Sequence, residues 1–212
     1  MSKLLDDIYR GVLEGDRSAV TLGVREAIGD GVSPQEILST MTRSMENVGE
    51  LFERGEYFVP EMLVAARAMR QGTEILRPHL VETGTRPTGT IVAGTVSGDL
   101  HEMGKNLVCM MLECAGFRVL DLGMDVSPAD FVQAVTDNQP EMVALSALLT
   151  TTMPNMEATI QALAEAGLRQ DLKVIVGGAP VTQAFAEQIA ADGYARDASQ
   201  AVGLVKRLLA PV

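Results

Sequence analysis

Along residues 2–80 the apolar positions recur at helical spacing, and no strand-like run interrupts them. After Ser2, the residues Leu4, Leu5, Ile8 and Val12 form one stripe. Gly15-Asp16 breaks it, and Asp16 stands where it can cap a second helix carrying Val20, Val24 and Ile28. Gly29-Asp30-Gly31 ends that helix. Ser33-Pro34-Gln35-Glu36 then combines an N-cap serine, a proline at the first helical position and the acid of a capping box. Ile37, Met41, Met45, Val48, Leu51 and Phe52 follow on one face, until Gly55. Tyr57-Phe58-Val59-Pro60-Glu61 opens a fourth helix, through Leu63, Ala66, Met69 and Ile75. Helices joined by such short loops predict a small antiparallel bundle over residues 1–80. Residues 78–88 are polar and hold two prolines. They read as a linker, set at 81–88 between the two domains, with His79 a solvated linker residue.

From residue 89 the pattern changes. Short β-branched runs at 90–96, 117–121, 142–147, 173–177 and 194–196 alternate with helical stripes at 102–115, 128–137, 154–166, 181–192 and 198–209. That alternation predicts an α/β domain, 89–212, with a five-stranded parallel sheet covered by helices. The default order is the flavodoxin-like 2-1-3-4-5. The fold class is therefore a helical bundle followed by a flavodoxin/Rossmann-like sheet domain.

Composition narrows the partners. Of 212 residues, 47% are hydrophobic and 21% charged, enough for a packed core. A net charge of -11 argues against nucleic acid and against an anionic membrane surface, both of which draw on clustered Lys and Arg. Cys109 and Cys114, five apart on one helix and so poorly aligned on a face, read as two small core residues. No secretory segment opens the chain and no apolar run approaches a span. The expectation is a reduced, soluble, cytoplasmic protein.

The candidate chemistry lies where the first strand ends. Ser97-Gly98-Asp99-Leu100-His101 forms the loop at its carboxyl end, the edge at which open α/β sheets bind ligands. A metal-binding histidine usually gives its second ring N–H to a carboxylate or carbonyl, and Asp99 two residues before His101 suits that pairing. A Gly-rich turn also suits phosphate, and a lone loop histidine also occurs simply solvated, so this loop leaves the ligand open. The third strand ends in Ser146-Ala147-Leu148-Leu149 before Thr150-Thr151-Thr152, and the fourth in Gly177-Gly178. In the order 2-1-3-4-5 these loops are neighbours on one edge. Gly104, Ala147 and the glycine pair are small enough to leave a slot there for an elongated group.

Asp99-Leu100-His101-Glu102-Met103-Gly104 matches D-x-H-x-x-G, Ser146-Ala147-Leu148 matches S-x-L, and Gly177-Gly178 supplies the following G-G. The set resembles the cobalamin-binding signature of B12-dependent methyltransferases, and the segment 49–60 resembles that family's helical cap. The likeness covers nearly the whole chain, which is similar to the corrinoid proteins of methyltransferase systems.

The resemblance implies a cobalamin bound with its benzimidazole base displaced from cobalt. By it, His101 is the metal ligand from below, Asp99 accepts its other N–H, and Thr152 stands where methionine synthase has a serine in the same relay. Ser146 meets the displaced base, while Gly104, Leu148, Gly177 and Gly178 line the slot for the nucleotide tail. Leu100, Glu102 and Met103 belong to the same cofactor-binding loop, and Thr150 meets the corrin. From the cap, Phe58 covers the upper face; Met62 reads equally as contact or as bundle core. No catalytic residue is implied: the chain is a carrier, and its cofactor holds the chemistry. The implied partners are a substrate-specific methyltransferase, an acceptor methyltransferase and a corrinoid reductive activation protein. A B12-dependent regulatory sensor, the cobalamin subunit of a mutase, and a flavodoxin-like module for another ligand are the competing readings.

Overall fold

A computed structural model describes residues 3–82 and 87–210 of the chain. It forms two compact units, one up to Pro87 together with Cys114–Gly116, the other Thr88–Glu113 together with the residues from Phe117 onward. The Ser2 position lies outside the described residues.

The first unit consists of α1 (Lys3–Leu13), α2 (Arg17–Gly29), α3 (Pro34–Glu53) and α4 (Val59–Glu82). Asp16 caps α2 by accepting from Ser18 N at 2.9 Å and Ala19 N at 3.0 Å. Ser33 caps α3 through Glu36 N at 3.2 Å, with Pro34 in the first turn. Ile8, Val12, Val20, Val24, Ile37, Met41 and Val48 are buried between the helices. On α4 the buried stripe is Met62, Ala65, Met69 and Leu76, one position away from the expected Leu63 and Ile75. Gly72 sets that register: a Cβ there would meet Met41 Sδ at 2.6 Å and Val20 Cγ1 at 2.9 Å, so three helices close on its bare backbone.

The linker expected from residue 78 does not begin there. Helix α4 continues through Pro78 to Glu82, and His79 is a half-buried residue of its last turns. Pro78 removes one backbone donor, but its ring faces solvent, and the fully buried Leu76 anchors the preceding turn in the core. Residues 83–86 of the expected linker lie outside the described residues.

The second unit alternates strictly: β1 (Thr90–Thr95), α5 (Met103–Cys114), β2 (Arg118–Asp121), α6 (Pro128–Asn138), β3 (Met142–Ser146), α7 (Pro154–Glu165), β4 (Lys173–Gly177), α8 (Gln183–Gln188), β5 (Gly193–Ala195) and α9 (Ala198–Leu208). All neighbouring strands are parallel, in the expected order β2-β1-β3-β4-β5. Val92, Val143, Val174 and Val176 from the sheet pack with Phe131, Val135, Met156 and Leu163 from the helices. Helix α8 is shorter than the expected 181–192. Thr182 caps it by accepting from Phe185 N at 3.2 Å, and the backbone at Ala190 turns left-handed, φ 57°, which stops the helix. Cys109 and Cys114 are both buried, and they form no disulfide. Burial, aided by the Asp121 carboxylate, pushes the Cys109 thiol up to about 12. No described helix is long and apolar enough to cross a membrane.

Candidate functional site

Register decides which residues meet at the carboxyl edge. Thr95 pairs with Ser146, and Ser146 with Gly177, so the three strands β1, β3 and β4 end side by side. Beyond β1 the chain turns at once: Asp99 N donates to Val96 O at 3.1 Å, and Gly98, φ 79°, takes the third place of the turn. That place requires a positive φ, which glycine adopts without strain. The turn drives Asp99 inward, to 0% side-chain exposure.

The Asp99 carboxylate is met from three directions. Its Oδ1 accepts from His101 N at 3.1 Å and lies 2.8 Å from His101 Nδ1. Its Oδ2 accepts from Leu148 N at 2.7 Å, Leu149 N at 3.2 Å and Thr152 Oγ1 at 2.7 Å. The Thr152 hydroxyl also stands 2.9 Å from Leu149 O. It has one hydrogen, and the charged acceptor wins it. Burial opposes ionisation of Asp99. The donors from Thr152, His101 and the Leu148 backbone outweigh it and hold the carboxyl well below the usual range.

An ionised Asp99 fixes the tautomer of His101: Nδ1 carries the hydrogen and donates it, so Nε2 is left with a lone pair. The His101 side chain is 51% exposed, and Nε2 has no hydrogen-bond partner among the described residues. Thr95 Oγ1 donates to His101 O at 3.0 Å and Asn155 Nδ2 donates to Ser97 O at 2.7 Å, so both ends of the loop are held from below. Around the imidazole the loops present apolar side chains to solvent: Leu100, Met103, Leu148 and Leu149.

Asp99, His101, Leu148 and Thr152 are thus brought into one bonded group. Thr152 does not cap α7, whose first turn has no side-chain cap; its hydroxyl is spent on the carboxylate. Glu102, Met103 and Thr150 are exposed on the same loops, and Ser146 is half-buried at the end of β3. A Cβ at Gly104 would meet nothing within 4 Å, so space is open there. The space at Gly178 is not open. A Cβ there would fall inside the Ala147 carbonyl oxygen and 2.9 Å from its carbon, and at Gly177 it would stand 3.0 Å from Ala195 O. The glycine pair lets the backbones at the ends of β3, β4 and β5 approach closely, because a Cβ at either place would meet a carbonyl oxygen. Phe58 is exposed at the start of α4 in the first unit, with its N–H donated to Glu61 at 3.0 Å, and Met62 is buried in the bundle core.

Three further residues support the loop without having been singled out in the sequence. Asp125 accepts from Gly98 N at 2.7 Å, Asn155 holds Ser97, and Lys105 lies buried against Asp121. Lys105 carried a legible signal, since it shares a helical face with Cys109 and Leu112, both buried.

The donor set also says what kind of metal fits. No group of three His, Cys, Asp or Glu able to hold a bare ion exists among the described residues. A single unengaged imidazole nitrogen, on loops that expose Leu100, Met103, Leu148 and Leu149, suits a metal that arrives with its other ligands already supplied by a large macrocycle. The residues present fit a corrinoid.

Comparison with known proteins agrees. The family described as B12 binding domain matches residues 89–203, and a second B12 binding domain family matches residues 4–77. Dimethylamine corrinoid protein 1 of Methanosarcina acetivorans is 44% identical over 99% of this chain and 100% of its own length. Trimethylamine corrinoid protein of Methanosarcina barkeri is 45% identical over 87% of this chain and 86% of its own. Among solved structures, the methanol:cobalamin methyltransferase complex of Methanosarcina barkeri superposes with a TM-score of 0.87 at 30% identity, covering 100% of this chain and 81% of that one. A cobalamin-binding protein of Desulfitobacterium hafniense DCB-2 superposes with 0.81 at 34% identity, covering 96% and 97%. With a B12-binding match over more than half its length and corrinoid-protein relatives over nearly all of it, the chain belongs to the B12-binding corrinoid protein family, whose cofactor is cobalamin.

Proposed function

We propose that this chain is the methyl-carrying corrinoid protein of a methyltransferase system. It receives a methyl group at a substrate-specific methyltransferase and surrenders it at an acceptor methyltransferase, with a corrinoid reductive activation protein restoring the cofactor. The corrinoid relatives and the methyltransferase complex support a methyltransferase partner. The observation that carries the reading is the buried Asp99 carboxylate holding His101 by Nδ1, with Nε2 unbonded at an exposed apolar edge.

Bound cobalamin supplies a cobalt centre that takes up and gives up a methyl cation. His101 Nε2 would hold that cobalt, in place of the cofactor's own base. Asp99 keeps the Nδ1 hydrogen and makes the imidazole a better donor. Thr152, Leu148 and Leu149 keep Asp99 ionised, so it never competes for that proton. With Nε2 not engaged, His101 would be able to hold a proton there, and the fixed negative charge of Asp99 would stabilise the imidazolium. The chain needs no base of its own beyond this pair. Ser146 would meet the displaced base, Gly104 and Leu148 would line the course of the tail, and Leu100, Glu102, Met103 and Thr150 would belong to the loops that receive the macrocycle. Gly177 and Gly178 would line the same course with bare backbone.

The His101→Ala variant tests the ligand. The His101 side chain is half-exposed and makes one hydrogen bond, to the Asp99 carboxylate, so the cofactor-free variant should lose about 1–2 kcal/mol of stability, the low end for a bond to a charged group. It should still take up cobalamin, but the nitrogen coupling from protein imidazole should vanish from the Co(II) electron paramagnetic resonance spectrum. An unaltered spectrum would refute the assignment.

A further inference from the structure

The segment from the end of β2 bonds to residues that precede and follow His101 in the chain, Gly98 and Lys105. Leu122 N donates to Ala93 O at 2.8 Å, Thr95 N to Gly123 O at 2.9 Å and Val126 N to Thr95 O at 2.9 Å, so residues 121–126 run along the end of β1 as an extra rail. Val96 and Val126 form a parallel bridge. Two carboxylates of this segment bond to the chain on either side of His101 in sequence. Asp125 accepts from Gly98 N at 2.7 Å, with Ser97 Oγ 3.4 Å away, and its own N–H donates to Asp99 O at 3.1 Å. Asp121 accepts from Lys105 Nζ at 2.6 Å, and the Lys105 side chain is 3% exposed. His101 lies between the two anchored points, Gly98 and Lys105.

Neither anchor is cheap for the chain. Asp125 has φ 55°, in the left-handed region that non-glycine residues seldom occupy, although aspartate tolerates it better than most. A buried lysine is tolerated only when its charge is paired, and here Asn106 Oδ1 at 2.6 Å completes the pairing. A glycine at 125 would relieve the backbone. The side chain that stands there instead is the one that reaches Gly98 N.

From this juxtaposition we infer that the 121–126 segment is a clamp, and that Asp125 is a positioning residue for His101. It acts on the loop that aims the imidazole and touches no cofactor. The inference rests on the proposed ligand role of His101 for its functional consequence, but the clamp itself is a property of the cofactor-free fold. It also assigns a role to the Asp121–Lys105 pair, which secures the far end of the loop at the first turn of α5.

Asp125→Gly removes the carboxylate while suiting the backbone, and Asp125→Asn keeps an acceptor of the same length. In the cofactor-free full chain, amide hydrogen exchange at Gly98 should become about tenfold faster in Asp125→Gly and stay within about threefold of wild type in Asp125→Asn. With cobalamin loaded, the Gly variant should show a reduced fraction of protein-imidazole coupling in the Co(II) spectrum, and the Asn variant should restore it. Wild-type exchange at Gly98 in the Gly variant would overturn the clamp. Faster exchange with undiminished imidazole coupling would overturn the positioning role. If wild type itself takes up cobalamin without imidazole coupling, the ligand reading fails, and the exchange data still decide the clamp. Asp125→Ser, too short to reach Gly98 N, gives the same comparison should the Gly variant not fold.

Discussion

Asp99→Ala is expected to destabilise the sheet unit by about 3–5 kcal/mol. The substitution removes the acceptor for Leu148 N, Leu149 N, His101 N, His101 Nδ1 and the Thr152 hydroxyl in one step. A hydrogen bond to a charged group contributes about 1.5–3 kcal/mol, and the losses overlap because the donors share one site. Asp99→Asn should cost less, about 1–3 kcal/mol, since it keeps one acceptor oxygen but turns an amide against donors. The sign of the pH effect follows from the lowered acidity constant. The stabilisation is present above the ordinary carboxylate value, about pH 4, and fades as pH falls below it toward the folded-state value. Asp99→Asn should lose that part of the acid sensitivity. Urea unfolding of the two variants across pH checks both statements. An Ala variant within about 1 kcal/mol of wild type would show that the network is not what orders the three loops.

Gly178→Ala is the second large effect. Gly178 has φ 134°, a backbone state costly for any side chain, and the new Cβ would overlap the Ala147 carbonyl, which is backbone and cannot rotate away. Strain of about 1–3 kcal/mol adds to a similar overpacking cost, for roughly 2–5 kcal/mol in total. The ends of β3 and β4 must separate to admit it. That shift moves Leu148 N away from Asp99, since Leu148 follows Ala147 directly. The variant should therefore also weaken the hold on His101, with Gly98 and Leu148 amides exchanging faster together. Gly104→Ala is the contrasting control, because its Cβ would meet open space; it should leave cofactor-free stability within about 0.5 kcal/mol.

The elements were legible where one physical signal dominated. Hydrophobic period separated four helices from the strand–helix alternation, and alternation with short connections left the order 2-1-3-4-5 as the default that the sheet adopts. Asp99, His101 and Thr152 were legible because motif spacing and the shared edge agreed. What escaped was decided by tertiary contacts. Pro78 signalled a break, but the packing of Leu76 in the turn before it kept α4 helical to Glu82. The 181–192 stripe overran its helix because the left-handed Ala190 carries no sequence signature. The close approach at Gly178 was not legible, because the carbonyl that a Cβ would meet belongs to Ala147, on another strand's end. Asp125 escaped because a carboxylate in a turn reads as solvated, and its partner, Gly98 N, lies 27 residues away in the chain.

The central claim is that an imidazole nitrogen of this chain ligates cobalt from below. The chain has two histidines, His79 and His101. Protein grown with nitrogen-15 histidine and loaded with ordinary cobalamin should show, in the Co(II) spectrum, each superhyperfine triplet replaced by a doublet, and that doublet should disappear in His101→Ala. Triplets that persist unchanged in the labelled protein would mean the cofactor's own base still holds the metal, and would contradict the account.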